Sequence, residues 1–282
     1  MQSTETIKSL VHNAYSQTAR SLDGASSTEF ENFKRISSAF GYNEGDLDLV
    51  QGANMGLGCG NPVATANIRS GEVIVDLGCG GGMDVILASG KVGDLGKVYG
   101  IDMSEDMLAV AKKNVQARNL TNVELIHSSI DKLPLPSNAV DCIISNCVLN
   151  LVPGDEKQVT LGEAYRVLKP GGRLAMSDIV EKKPMPEDIK QDAISYVGCV
   201  AGAIDVVLYR QFLADAGFQD IILLDTNADL SIYRQSSSNS SKAACSSCCS
   251  GASKPAKGGF NEALNYDVNE FVGSFAIYAI KP

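Results

Sequence analysis

Tryptophan is absent from the 282-residue sequence, histidine occurs twice, and aromatic residues make up 6% of the chain. The two histidines, His12 and His127, have no ligand partner at useful spacing. They argue against a mixed Cys/His zinc site and read as surface or core residues. No apolar run approaches the ~18 residues of a membrane span, and the opening MQSTETIKSLVHN lacks the basic and apolar regions of a secretory signal. The expectation is a soluble, cytoplasmic protein. Positive charge is short as well, with 24 Lys and Arg against 33 Asp and Glu for a net charge of -9. A nucleic-acid backbone or an anionic membrane is therefore a poor partner, because phosphate binding needs clustered cations.

What is present is a globular composition, 44% hydrophobic and 20% charged, with eight cysteines. In a reducing compartment these are free thiols rather than a disulfide framework, which directs attention to metal, metalloid or redox chemistry.

Apolar positions at helical intervals (Ile7, Leu10, Val11, then Phe30, Phe33, Ile36, Phe40) predict two amphipathic helices in residues 1–50, broken at 24–27. From residue 73 short apolar runs (VIVDLG, KVYGIDM, NVELIHSS, DCIISNCVL, GGRLAMSDIV) alternate with helical segments. That alternation predicts βαβ units and a parallel sheet covered on both faces. After 181 the spacing predicts one helix over PEDIKQDAISYVGCVAGA, a second over LYRQFLADAG and a strand at DIILLDTN. The terminal FVGSFAIYAIKP is expected to return and pair antiparallel with 221–224. Residues 235–259, rich in Ser, Gly and Ala, cannot bury enough apolar surface to order themselves and read as a flexible insertion.

VDLGCGGGMD places Gly78-Cys79-Gly80-Gly81-Gly82 between a buried strand and a helix. Such a loop turns tightly and offers free N–H groups to a ligand. Alone it is also compatible with a dinucleotide, with Asp102, at the end of the next strand, holding two ribose hydroxyls. Asp76 ahead of the glycines, together with LKPGGRL at 168–174, resembles the Rossmann-like S-adenosyl-L-methionine methyltransferases over residues 70–180. The resemblance implies an α/β fold with a Rossmann-like seven-stranded methyltransferase sheet, an N-terminal helical segment (1–50), a cofactor domain (51–180) and a C-terminal cap (181–282). It implies that Asp76, Gly78, Cys79, Gly80 and Gly82 shape the cofactor pocket, that Asp102 binds ribose, and that Met103 packs on adenine. Asn146 is placed near the methionine end. Where members carry an acid against the adenine amine, this chain reads SSIDKLP, so Ile130 and Asp131 are carried over, with a solvated turn as the other reading of Asp131. Asp84, entering a helix, reads as an N-terminal cap.

No His, Lys or carboxylate outside the cofactor motifs suggests a general base, which favours a substrate that is already nucleophilic. GLGCGNPVA, SNCVLNL and YVGCVAGA resemble the corresponding segments of arsenite methyltransferases, over about 30–225 and the terminal strand. The resemblance implies that Cys59, Cys147 and Cys199 hold trivalent arsenic, and that the flanking glycines let the Cys59 loop close over it. Cys79 and Cys142 also read as small buried hydrophobes. Cys245, Cys248 and Cys249, in CSSCC, either relay arsenic or have no active-site role. Many members carry a further N-terminal cysteine that forms a disulfide with the first ligand, yet residues 1–58 contain none. Either another thiol, such as Cys199 or the CSSCC stretch, serves the redox relay, or a thiol reductant of thioredoxin or glutathione type acts directly. Two other functions remain open: a C- or O-methyltransferase acting on a quinone- or sterol-like acceptor, and a non-catalytic metalloid-binding protein.

Overall fold

In VIVDL, β-branched residues are buried on both faces, as a central strand of a parallel sheet requires. The computed structural model describes residues 3–154, 156–233 and 267–282. Its sheet is built from β1 (Val73–Leu77), β2 (Lys97–Asp102), β3 (Val123–His127), β4 (Val140–Asn146), β5 (Leu168–Glu181), β6 (Gln219–Asp225) and β7 (Val272–Ile280). The order is β3-β2-β1-β4-β5-β7-β6, parallel except for β7, which runs antiparallel between β5 and β6. Ile222 pairs with Tyr278 and Leu224 with Ala276, as expected for the returning terminal strand. This is the seven-stranded Rossmann-like sheet implied by the sequence. Cys245, Cys248 and Cys249, with the rest of 235–259, lie outside the described residues.

The helices follow in chain order. They are α1 (Thr4–Ser21), α2 (Ser27–Ala39), α3 (Glu44–Leu49), α4 (Pro62–Thr65), α5 (Met83–Val92), α6 (Glu105–Ala117), α7 (Lys157–Val167), α8 (Glu187–Gln191), α9 (Ala193–Val197) and α10 (Val206–Ala216). The first two are the expected N-terminal pair. Ser3 caps α1, and a reciprocal Ser26–Glu29 capping box starts α2. Alternate side chains divide the core. Val75, Ile143 and Leu174 pack with Leu161 of α7 and Leu213 of α10, whereas Ile74, Cys142 and Ala175 pack with Val85 and Ala88 of α5. Cys142 is thus the buried hydrophobe that its strand position suggested.

Above the carboxyl ends of β4 and β5 a third cluster joins Ile36 of α2 and Phe40, which caps that helix, to Ile179, Ile189, Val200 and Val272, enclosing Cys59, Cys147 and Cys199. Here the structure corrects the single helix predicted over 186–203. Asp192 adopts an extended conformation, φ -78° and ψ 121°, and its carboxylate accepts from the N–H and hydroxyl of Ser195, both at 2.7 Å. A short acidic side chain competes with the helix backbone and favours such a cap over an interior position. Two short helices result, and Cys199 falls in the turn beyond them.

Candidate active site

The sheet order reverses between β1 and β4, and at such a switch point the strand ends diverge to leave a ligand crevice. The glycine loop leaves β1 on one side. Gly78 and Cys79 donate their N–H groups to Ile101 O at 2.8 and 2.9 Å, fixing the turn. Gly78 and Gly80 hold positive φ, 70° and 51°, a region open to glycine at little cost. Gly80 N–H donates to one oxygen of Asp102 and Ser104 N–H to the other, both at 2.9 Å. Burial raises the Asp102 carboxyl above its ordinary range, and the N–H donors oppose that rise. The two oxygens keep lone pairs for a diol.

One cavity is lined by Asp76, Gly78, Cys79, Gly80, Asp102, Met103, Ile130, Asp131, Asn146 and Cys147. Gly82 stands behind this wall as the left-handed N-cap of α5, close to Ala111. The cap reading of Asp84 needs correction. No side chain caps α5, and the buried Asp84 faces the same cavity, accepting from Tyr42 Oη at 2.6 Å and Asn146 Nδ2 at 3.3 Å. Burial pushes its carboxyl up to about 6 against those two donors. Asp76 is raised well above the usual range by burial and by the neighbouring Asp84 and Asp102. Asp131 lines the mouth and is bonded to Lys8 Nζ at 3.2 Å.

Behind the cavity the three cysteines converge. Cys147 directly follows β4, and both it and Cys199 hold left-handed backbone, φ 61° and 65°. That conformation costs about 1–3 kcal/mol at a non-glycine residue and is concentrated at functional sites. The Cys199 thiol donates to Cys147 O at 2.9 Å, and the Cys59 and Cys147 thiols are within hydrogen-bonding reach of each other. The sulfurs of Cys59 and Cys147 and a carboxylate oxygen of Asp178 lie within 4.8 Å of one another. Buried Asn150 donates to Ile179 O at 2.6 Å and Cys199 O at 3.0 Å, tying the turn after Cys147 to the one holding Cys199. Burial pushes the Cys59 thiol up to about 11 and raises Cys147 well above its ordinary value. Hydrogen bonding to Cys147, then burial, does the same for Cys199. All three are therefore thiols, not thiolates, at neutral pH.

Sequence reasoning missed Asp178 and Lys157. Asp178 is buried beside the thiols, pushed up to about 7 by desolvation, and accepts from Tyr209 Oη at 3.3 Å. Lys157 donates to Leu149 O and Val152 O at 2.6 and 2.8 Å, bracing the turn after Cys147, and burial lowers it to about 8. The acid interrupting the apolar run LAMSDIV was the available signal, whereas Lys157 at a helix start gave none.

The glycines around Cys59 serve close approach in this structure. Cys59 N–H donates to Asn146 Oδ1 at 3.0 Å, Ser274 Oγ donates to Cys59 O, and Tyr233 Oη donates to Gly58 O. A Cβ on Gly58 would lie 2.6 Å from Asn146 Nδ2, and one on Gly60 would overlap the Ser177 side chain. Gly60→Ala should accordingly cost about 1–3 kcal/mol, as overpacking typically does. A lowered thermal midpoint checks it.

Residues 68–217, more than half of the chain, match a family model described as a methyltransferase domain. The chain belongs to this methyltransferase family. The methyltransferase is 44% identical to the arsenite methyltransferase of Halobacterium salinarum over 186 residues, covering 66% of this chain and 47% of that one. It is 36% identical to a demethylmenaquinone methyltransferase of Listeria monocytogenes over 146 residues, covering 51% and 61%. Among solved structures it resembles an arsenic(III) S-adenosylmethionine methyltransferase from Chlamydomonas reinhardtii, with TM-score 0.59 and 26% identity over 88% of this chain and 73% of that one. The methyltransferase spans about half the length of the first arsenite methyltransferases that it matches. No helix among its described residues is long and apolar enough to cross a membrane.

Proposed function

We propose that this protein methylates trivalent arsenic with S-adenosylmethionine, holding arsenic through Cys59, Cys147 and Cys199. The convergence of three buried thiols against the wall of the cofactor-type cavity carries this reading, supported by the similarity to arsenite methyltransferases. Three thiols suit a thiophilic, pyramidal centre and leave its lone pair free. Binding conserves protons. Each S–H and each As–OH bond of arsenous acid breaks, three As–S bonds form, and three waters leave. Thiols held protonated by burial are therefore adequate ligands.

The cavity fits S-adenosylmethionine on chemical grounds. The glycine loop leaves room at a helix entrance, Asp102 offers paired acceptors for a ribose, and Asp76 and Asp84 are buried carboxylates suited to a cation. Bound there, it supplies an electrophilic methyl on a sulfonium. Asn146 accepts from Cys59 N–H and donates toward Asp84, so one side chain orders the arsenic loop and the cofactor wall. With the cofactor held there, the lone pair of the arsenic bound by Cys59, Cys147 and Cys199 would form an As–C bond as the S–C bond of the sulfonium breaks, releasing S-adenosylhomocysteine. No base is required, and holding the two reactants aligned supplies most of the acceleration. Arsenic loses two electrons in this step. A thiol reductant of thioredoxin or glutathione type returns them before another methyl is added.

The assay is methyl-labelled S-adenosylmethionine with arsenite and excess thiol. Labelled methylarsenic and stoichiometric S-adenosylhomocysteine are expected. Similarity to demethylmenaquinone methyltransferases favours a second reading, methylation of a quinone-like carbon. Label in a quinone with none in arsenic would establish that instead. Tight arsenite binding with no S-adenosylhomocysteine formed would indicate a metalloid-binding protein without turnover.

Asp84 gives a pH test. Its carboxyl, held up to about 6 by burial, must ionise to receive the ammonium of the cofactor. Cofactor affinity should thus rise by up to tenfold per pH unit toward pH 6 as Asp84 ionises, and Asp76, raised by burial in the same cavity, should continue the rise above it. Calorimetry from pH 5 to 8 checks this, and Asp84→Asn should flatten the lower part of the profile.

A further inference from the structure

Helix α1 crosses the mouth of the cavity, with Lys8, Val11 and Tyr15 facing into it. Most of its polar ties run to the wall that carries Asp102 and Asp131. Lys8 Nζ meets Asp131 at 3.2 Å and Glu156 at 2.7 Å, the hydroxyls of Ser16 and Ser104 share a bond of 2.9 Å, and Arg20 holds Asp106 with two bonds. Tyr15 leads the other way. Its hydroxyl donates to the carbonyl of Val197, the last residue of α9, at 3.2 Å and lies within hydrogen-bonding reach of the Cys199 thiol two residues on. The same helix therefore touches the cofactor wall at one side and the third thiol at the other.

Cys199 needs such support. It sits in a left-handed turn beyond a five-residue helix, a conformation that persists only where its surroundings impose it. Asn150 holds its carbonyl, and Tyr15 holds the backbone just before it and reaches the sulfur.

We propose that Tyr15 is a positioning residue that fixes the Cys199 sulfur in the thiol cluster, so that seating α1 over the cofactor cavity completes the arsenic site. This inference rests on the three-thiol reading. Because α1 takes part in both sites, arsenite and cofactor strengthen each other's binding by the same factor.

Tyr15→Phe keeps the ring and removes the hydroxyl. Arsenite affinity, read from the thiolate-to-arsenic absorption in the ultraviolet at saturating S-adenosylmethionine, should fall about tenfold, the scale of one buried hydrogen bond. The strengthening of cofactor binding by arsenite should fall by the same factor as the strengthening of arsenite binding by cofactor. In a Cys199→Ser background the same substitution should weaken arsenite no further, since its effect passes through that sulfur. Equal weakening in both backgrounds would mark a merely structural role and overturn the proposal, as would wild-type arsenite affinity in Tyr15→Phe. Failure of the unsubstituted protein to bind arsenite would overturn the three-thiol reading and this inference with it, whereas normal binding with a silent Tyr15→Phe overturns this inference alone.

Discussion

Cys147→Ser should abolish arsenite methylation while leaving S-adenosylmethionine affinity within about twofold, and Cys199→Ser should do the same. The substitution exchanges a soft ligand for a hard one of similar shape, so the loss falls on arsenic rather than on the fold. Two remaining thiols can still condense with arsenous acid. The third position then keeps an oxygen, and the lone pair swings away from the methyl donor. Misplacement of a reacting atom by about 1 Å can cost on the order of 10²-fold, so a fall in turnover of at least that size is expected. Cys147 lines the cavity beside Asn146, and Cys199 bonds to its carbonyl, so neither change removes a cofactor contact proposed above. Steady-state turnover with a parallel cofactor titration checks both halves of the expectation, and unchanged turnover in either variant contradicts the ligand assignment.

Asp102→Ala should weaken S-adenosylmethionine by on the order of 10²-fold, since two charge-assisted bonds to ribose at about 1.5 kcal/mol each are lost. The side chain has a second task. By accepting from Gly80 and Ser104 N–H it fixes the glycine loop against the start of α6. Asp102→Asn, which keeps one acceptor oxygen, should lose less. Arsenite binding without cofactor should be unchanged in both, because the bonds that Asp102 accepts come from Gly80 and Ser104 rather than from the thiol cluster. Normal cofactor affinity in Asp102→Ala would remove the ribose role.

The sheet was legible because its strands are local apolar runs cut by glycine, and the return of the terminal strand followed from its composition. The glycine loop and Asp102 were legible for a related reason: the loop and the strand-end acid sit at set places around β1 and β2. Asp84 was misread because an acid at the start of a helix is equally suited to capping, and only the partners Tyr42 and Asn146, 42 and 62 residues away, turn it into the cavity. The helix over 186–203 failed at Asp192, where two bonds from Ser195 to its side chain outweigh the propensity of its neighbours. Asp178 left one local mark, an acid inside the apolar run LAMSDIV, whereas Tyr15 and Lys157 carry none, because their placement depends on contacts between distant segments. The cysteines lie between these cases. Each is ambiguous alone, and the fold packs Cys59, Cys147 and Cys199 into one cluster while Cys79 and Cys142 lie in another.

X-ray absorption at the arsenic edge of the stoichiometric arsenite complex tests the central claim most directly. The account predicts three sulfur neighbours and no oxygen in the unsubstituted protein, with two sulfurs and one oxygen in each of Cys59→Ser, Cys147→Ser and Cys199→Ser. A first shell containing oxygen in the unsubstituted protein, or three sulfurs retained in any of these variants, would contradict it.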